Sequence, residues 1–267
     1  MKSRIPIAIL IVVSTLAFCL WGPVPRLLFL LICGLASVWE TWQILSRGGH
    51  HWGYGAILLA FVLVCALVSL LHGAAFWCAV AFFAAAQLIL TFGALTYRAG
   101  QGQEALCSLT ALVYPGSLFA LLLYISQDER WLWPFAVGQL TAWICDSAAL
   151  VVGKKWGKRT LPTPVSPHKT VEGCLAGAAA ALPTGLICWA LFRGSCPLSP
   201  WAWMLLCLLC SSWGQIGDLA ASLVKRAVGV KDFSNLLGPH GGVMDKFDSM
   251  VFSIPLAYLC FRIIGVM

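Results

Sequence analysis

Long uninterrupted apolar runs set the limits on what this chain can become. Stretches near 5–22, 27–45, 55–71, 74–95, 105–126, 131–152, 172–192, 200–219 and 248–266 each approach the roughly 17–25 residues needed to cross a hydrocarbon core of about 30 Å. Only 10% of the 267 residues are charged and 60% are apolar, whereas a soluble domain carries about 25% charged residues. Backbone N–H and C=O groups find no water in lipid, so runs of this length resolve into helices. The expected architecture is an all-α, polytopic integral membrane bundle of about nine transmembrane helices.

Lys and Arg choose the orientation, because cytoplasmic loops retain them. With the N-terminus inside, Lys2, Arg4, Arg47, Arg98, Lys154, Lys155, Lys158, Arg159, Lys169, Lys225, Arg226, Lys231 and Lys246 fall on the inner face, against Arg26, Arg130 and Arg193 on the outer. The net charge of +7 sits in short loops between spans, which argues for topology and phosphate binding and against nucleic acid. The first span starts with charges like a signal peptide but lacks an evident small-residue cleavage site, so it reads as an uncleaved anchor. Most of the twelve cysteines lie inside apolar spans, as small packing residues do; Cys207-Leu-Leu-Cys210 has redox or metal spacing but lies mid-span, without a histidine or carboxylate beside it.

Polar residues are unevenly spread. Residues 1–130 read as an N-terminal transmembrane scaffold, with Gly48-Gly49-His50-His51 as a short inner loop and Glu40 and Gln43 one turn apart in an apolar span, facing the bundle interior. Residues 131–267 read as a C-terminal catalytic region with inner loops at about 153–171 and 220–247. Between Ser222 and Ser249, 28 positions hold seven charged residues and one histidine. Cations pair with phosphate oxygens, carboxylates hold divalent metals, and glycines permit close backbone approach, so this density suits a phosphate-rich, metal-loaded molecule.

Asp218 begins a helix-compatible run through Arg226. At 100° per residue Ser222 lies about 40° and Lys225 about 20° from it, so carboxylate, hydroxyl and ammonium share a face. Gly217, Ala220 and Ala221 leave room for another helix or a ligand. Pro239-His240-Gly241-Gly242 reads as a tight loop before Asp245 and Asp248, whose spacing of three puts both carboxylates on one side of a helical turn. A divalent cation relieves their repulsion; enrichment of Asp in a first helical turn is the competing explanation. Asp146 falls in the inner half of the sixth span, where an isolated carboxylate is costly. Downstream of it, Ser166 is expected to cap a helix starting at Pro167, with Lys169 beside the free N–H groups as an anion site. Attraction to anionic lipid headgroups also accounts for the basic loop. No GxxxxGK[ST] loop, HExxH or GxSxG is present, which leaves metal-assisted phosphoryl or nucleotidyl transfer.

Ser222, Lys225, Arg226, Lys231, Asp232, His240, Gly241, Gly242, Asp245 and Asp248 reproduce a spacing, S-x-x-K-R-x4-K-D then H-G-G-x-x-D-x-x-D, that resembles the signature of the phosphatidate cytidylyltransferase (CDP-diacylglycerol synthase) family. The stretch from Asp146 to Gly173 resembles the family's second region. Lys246 stands where the family has Arg, Leu150 where many members have an aromatic residue, and Val171 where Trp is frequent. The resemblance implies that CTP and phosphatidic acid yield CDP-diacylglycerol and pyrophosphate with Mg²⁺. It assigns Asp218, Ser222, Lys225, Asp245 and Asp248 to catalysis, with Asp146, Asp218, Asp245 and Asp248 around one or two cations. Lys169, Arg226, Lys231, His240, Gly241 and Gly242 fall to the substrate phosphates. It further implies a bacterial inner membrane, a cytoplasmic site, contact with membrane lipids and, by family analogy alone, a homodimer. The alternatives are a CTP-dependent polyprenol or dolichol kinase, which would transfer the γ-phosphate, and a membrane transporter.

Overall fold

The computed structural model describes residues 21–46, 52–71, 75–95 and 102–267. The first apolar stretch up to residue 20, the cations Lys2, Arg4, Arg47 and Arg98, and the Gly48-Gly49-His50-His51 loop lie outside the described residues. Within them the regular elements are helical, apart from one isolated bridge between Thr160 and Thr170. The longer helices are α1 (Pro23–Leu45), α2 (Trp52–Leu70), α3 (Ala75–Leu95), α4 (Gly102–Ala111), α5 (Leu118–Ile125), α6 (Leu132–Trp156), α7 (Val171–Phe192), α8 (Pro200–Ala227) and α10 (Met250–Ile264), with a single turn α9 (Met244–Phe247). Helices α4 and α5 join through Leu112–Ser117, where Tyr114 leaves helical geometry (φ −136°, ψ 117°) ahead of Pro115. Among the described residues seven helical segments are long and apolar enough to cross a membrane. The fold is therefore a multi-pass helical one.

Packing divides the chain into two compact units, one of residues 1–128 with 230–245 and one of residues 129–229 with 246–267. In the first, α1, α2 and α5 pack on one another, and Leu30 and Trp42 of α1, Leu58 of α2 and Phe119 and Leu122 of α5 are buried. Arg26, expected in an outer loop, is instead in the first turn of α1, buried, with Nε donating to the Ser126 carbonyl at 2.9 Å. A buried guanidinium needs such an acceptor.

The second unit is built from α6, α7, α8 and α10. Its core stacks Trp203 on Phe192 (centroids 5.7 Å apart) and sets it edge-on to Phe261 at 5.4 Å. Cys145, Cys188, Cys207 and Cys210 fill this core as free thiols, so the CxxC pair packs within the apolar interior. Small residues bring the helices together. A Cβ at Gly185 would stand 2.5 Å from the Met204 Cα, and one at Gly217 would stand 2.7 Å from the Asp248 carbonyl oxygen. Helix α8 starts with Pro200, which lacks an N–H that would go unpaired, and with Ser199 accepting from the Ala202 N–H. Leu175, Leu186, Leu205, Leu209 and Ile263 remain exposed, as side chains meeting hydrocarbon do.

Candidate active site

One face of α6 carries Asp146, Ala149, Leu150, Gly153 and Lys154, at intervals of three and four residues that keep them in line. Together with Gln215 and Asp218 of α8, Thr170, Gly173 and Cys174 at the start of α7, and His168 and Lys169 before it, they enclose a cavity of about 640 Å³. That is the size of a small-ligand pocket, with polar groups of both charges in its wall.

The segment leading into α7 fixes the cationic side. Thr170, in extended conformation, caps the helix by accepting the Gly173 N–H at 3.1 Å. The cap therefore falls on Thr170, not on Ser166. Ser166-Pro167-His168-Lys169 closes a turn, with the Lys169 N–H donating to the Ser166 carbonyl at 3.2 Å. The chain then runs antiparallel to residues 159–161, with Leu161 N–H bonded to Lys169 O and Val171 N–H to Arg159 O. That pairing holds the backbone extended until residue 170 and delays the helix. Glu172 secures the same loop by accepting the Lys158 and Arg159 N–H groups at 3.1 and 3.2 Å.

Lys169 thereby reaches α8. Its Nζ stands 2.5 Å from Asp218 Oδ2, with both side chains about a quarter exposed (25% and 27%). Asp146 lies within electrostatic reach of Asp218 and Lys169, and Asp248 within reach of Asp218, Asp146 and Lys225. Three of the four expected aspartates thus share one neighbourhood in the second unit. Ser222 and Lys225 are buried on α8, while Arg226 is exposed at its end. Asp248 follows the one-turn helix α9, and its Oδ1 accepts the Ser249 N–H at 2.7 Å. Among the described residues, no three His, Cys, Asp or Glu side chains converge as a ready-made metal cluster.

Asp245 belongs to the first unit and has a different engagement. Its Oδ2 accepts the Phe233 N–H at 2.8 Å and the Gly242 N–H at 2.9 Å, tying the motif loop to itself. Gly241, at φ +80°, has no Cβ to collide with that carboxylate. Glu40, buried in α1, accepts from Ser234 Oγ (2.6 Å), the Val243 N–H (3.0 Å) and the Met244 N–H (3.0 Å). On the same loop Lys231 is exposed and His240 sits in a short 3₁₀ turn.

The sequence profile of the cytidylyltransferase family matches residues 2–264. The chain belongs to the cytidylyltransferase family. Similar curated members include the phosphatidate cytidylyltransferase of Bacillus subtilis, 36% identical over 172 residues, covering 64% of this chain and 63% of the relative. Those of Staphylococcus saprophyticus and Staphylococcus aureus are each 32% identical, over 169 and 171 residues, covering 63% of this chain and 64% of the relative. The aligned stretch thus spans a little under two thirds of these relatives' own length.

Three polar cavity-lining residues, Lys154, His168 and Gln215, were given no site role by the sequence, although Lys154 and His168 lie within the second motif stretch. Helical spacing could have found two of them, since Lys154 lies eight residues after Asp146 and Gln215 three before Asp218.

Proposed function

We propose that the chain transfers the cytidylyl group of CTP to phosphatidic acid, giving CDP-diacylglycerol and pyrophosphate. The observation that carries this reading is the cavity of the second unit, where Lys154, His168 and Lys169 line the same space as Asp146 and Asp218. A phosphate oxygen of phosphatidic acid attacks the α-phosphorus of CTP. The bond from that phosphorus to the oxygen bridging to the β-phosphorus breaks, and pyrophosphate leaves with the electron pair. A phosphate monoester has its second pKa near about 6, so the nucleophile needs no strong general base.

The residues then have to align two polyanions and stabilise in-line displacement. Lys154 and Lys169 pair with phosphate oxygens in the cavity, Lys225 and Arg226 add positive charge along α8, and Ser222 donates a hydrogen bond. By motif resemblance alone, Lys231, His240, Gly241 and Gly242 bind substrate phosphate on their loop. Mg²⁺, when bound, supplies charge neutralisation on the nucleotide phosphates. Asp146, Asp218 and Asp248 offer the hard oxygen donors that it prefers, and because Mg²⁺ takes much of its shell from water and substrate phosphates, a closed protein cage is unnecessary. Asp245 shapes the loop through its two N–H contacts in this reading.

The same proposal includes about nine spans with the N-terminus inside and the site on the cytoplasmic face of a bacterial inner membrane, supported by the Lys and Arg distribution. Parallel reactions with CTP labelled at the α- or the γ-phosphorus test the chemistry. Label entering lipid only from the α position supports cytidylyl transfer. Label entering from the γ position overturns it in favour of a lipid kinase.

A further inference from the structure

Glu40 stands in α1, about two hundred residues from the motif loop in sequence, yet it is 3% exposed and its three hydrogen bonds among the described residues go to that loop. Oε1 accepts from Ser234 Oγ and the Val243 N–H, and Oε2 from the Met244 N–H, so one carboxylate grips both ends of residues 234–244. Hydrogen bonds to a buried carboxylate are among the stronger ones, and removing it leaves backbone donors without an acceptor. Gly242 fits the same contact. A Cβ there would stand 2.5 Å from Glu40 Oε2 and 2.7 Å from Oε1. The second glycine of the His240-Gly241-Gly242 run therefore makes room for Glu40, as the first does for Asp245.

We propose that Glu40 is a positioning residue that holds the His240-Gly241-Gly242 loop in its nucleotide-binding form, so that a span of the N-terminal half sets affinity for CTP. This rests on the assignment of that loop to substrate phosphate. Glu40 touches no reacting atom; it acts through the backbone of Val243 and Met244.

Two readouts on the full-length protein in detergent test it. Hydrogen exchange of peptides covering 233–245 needs no activity: Glu40→Ala should speed exchange there by about tenfold or more while peptides of α6 to α8 are unchanged. Unchanged exchange in 233–245 overturns the clamp whatever the enzyme's substrate. In steady-state assays Glu40→Ala should raise KM for CTP about tenfold, with KM for phosphatidic acid and kcat moving less than about threefold. A uniform fall in kcat, or an equal rise in both KM values, overturns the positioning role. Glu40→Gln keeps one acceptor oxygen and should give an intermediate KM, which also guards against a misfolded Ala variant. Gly242→Ala should impair wild type more than it impairs the Glu40→Ala background, where the obstructing carboxylate is gone; equal effects in both overturn the steric part of the argument. A wild-type protein that forms no CDP-lipid, together with the predicted exchange pattern, refutes the enzymatic reading and leaves the clamp standing.

Discussion

Replacing Lys169 with Met removes the cation that meets Asp218. At 2.5 Å the attraction between unit charges is about 7 kcal/mol for an effective dielectric of ~20. Both side chains are about a quarter exposed, and desolvation and screening bring the net worth of such a pair down to about 1–2 kcal/mol. The variant should therefore lose roughly 3–6 °C in Tm, with Asp146 and Asp218 left in mutual repulsion. Its effect on turnover should be larger. A charge-assisted bond to a phosphate oxygen is worth about 1.5–3 kcal/mol, so kcat/KM for CTP should fall by roughly 10- to 150-fold. The assay is initial-rate incorporation of labelled CTP into lipid, beside a thermal unfolding curve in the same detergent. Adding Asp218→Asn should recover most of the stability and none of the activity. A Lys169→Met enzyme within twofold of wild type, or strictly additive stability losses in the double variant, would refute the reasoning.

Other outcomes follow from the same contacts. Asp248→Asn should reduce CTP incorporation by at least about 100-fold, with normal amounts of folded protein in membranes by immunoblot and gel filtration. Gly185→Leu should destabilise by about 1–3 kcal/mol or more, because α7 and α8 touch backbone to backbone there, whereas Gly194→Ala, with open space around its Cβ position, should leave the melting curve in place. Thr170→Ala should cost about 1 kcal/mol and raise proteolysis of the 157–170 loop, and Thr170→Ser should behave like wild type.

The helices were legible because hydropathy over twenty residues is a strong signal. The expected stretches at 27–45, 55–71, 172–192 and 200–219 fall within or within a residue of α1, α2, α7 and α8. The shared face of Asp218, Ser222 and Lys225 was legible for a similar reason, since a continuous helix fixes angles by count alone. The Ser166 cap was not, because Ser-Pro is a good local start signal that lost to a non-local event, the pairing of residues 159–161 with 169–171. Nor could sequence spacing reveal that Lys169 meets Asp218, or that Glu40 meets Val243 and Met244. Such partners are brought together by packing, and a buried carboxylate in an apolar span announces only that it needs donors. Gly241 and Gly242 stood out as places of close backbone approach, but spacing alone could not show that the carboxylates of Asp245 and Glu40 lie where their Cβ atoms would stand.

The most direct test of the central claim is a structure with a non-hydrolysable CTP analogue and Mn²⁺, read by anomalous scattering. The account predicts a Mn²⁺ peak against Asp146, Asp218 and Asp248, with triphosphate density in the cavity of α6, α7 and α8 beside Lys154 and Lys169. Nucleotide bound elsewhere, with Lys169 still locked on Asp218 and no metal peak near these aspartates, would contradict it.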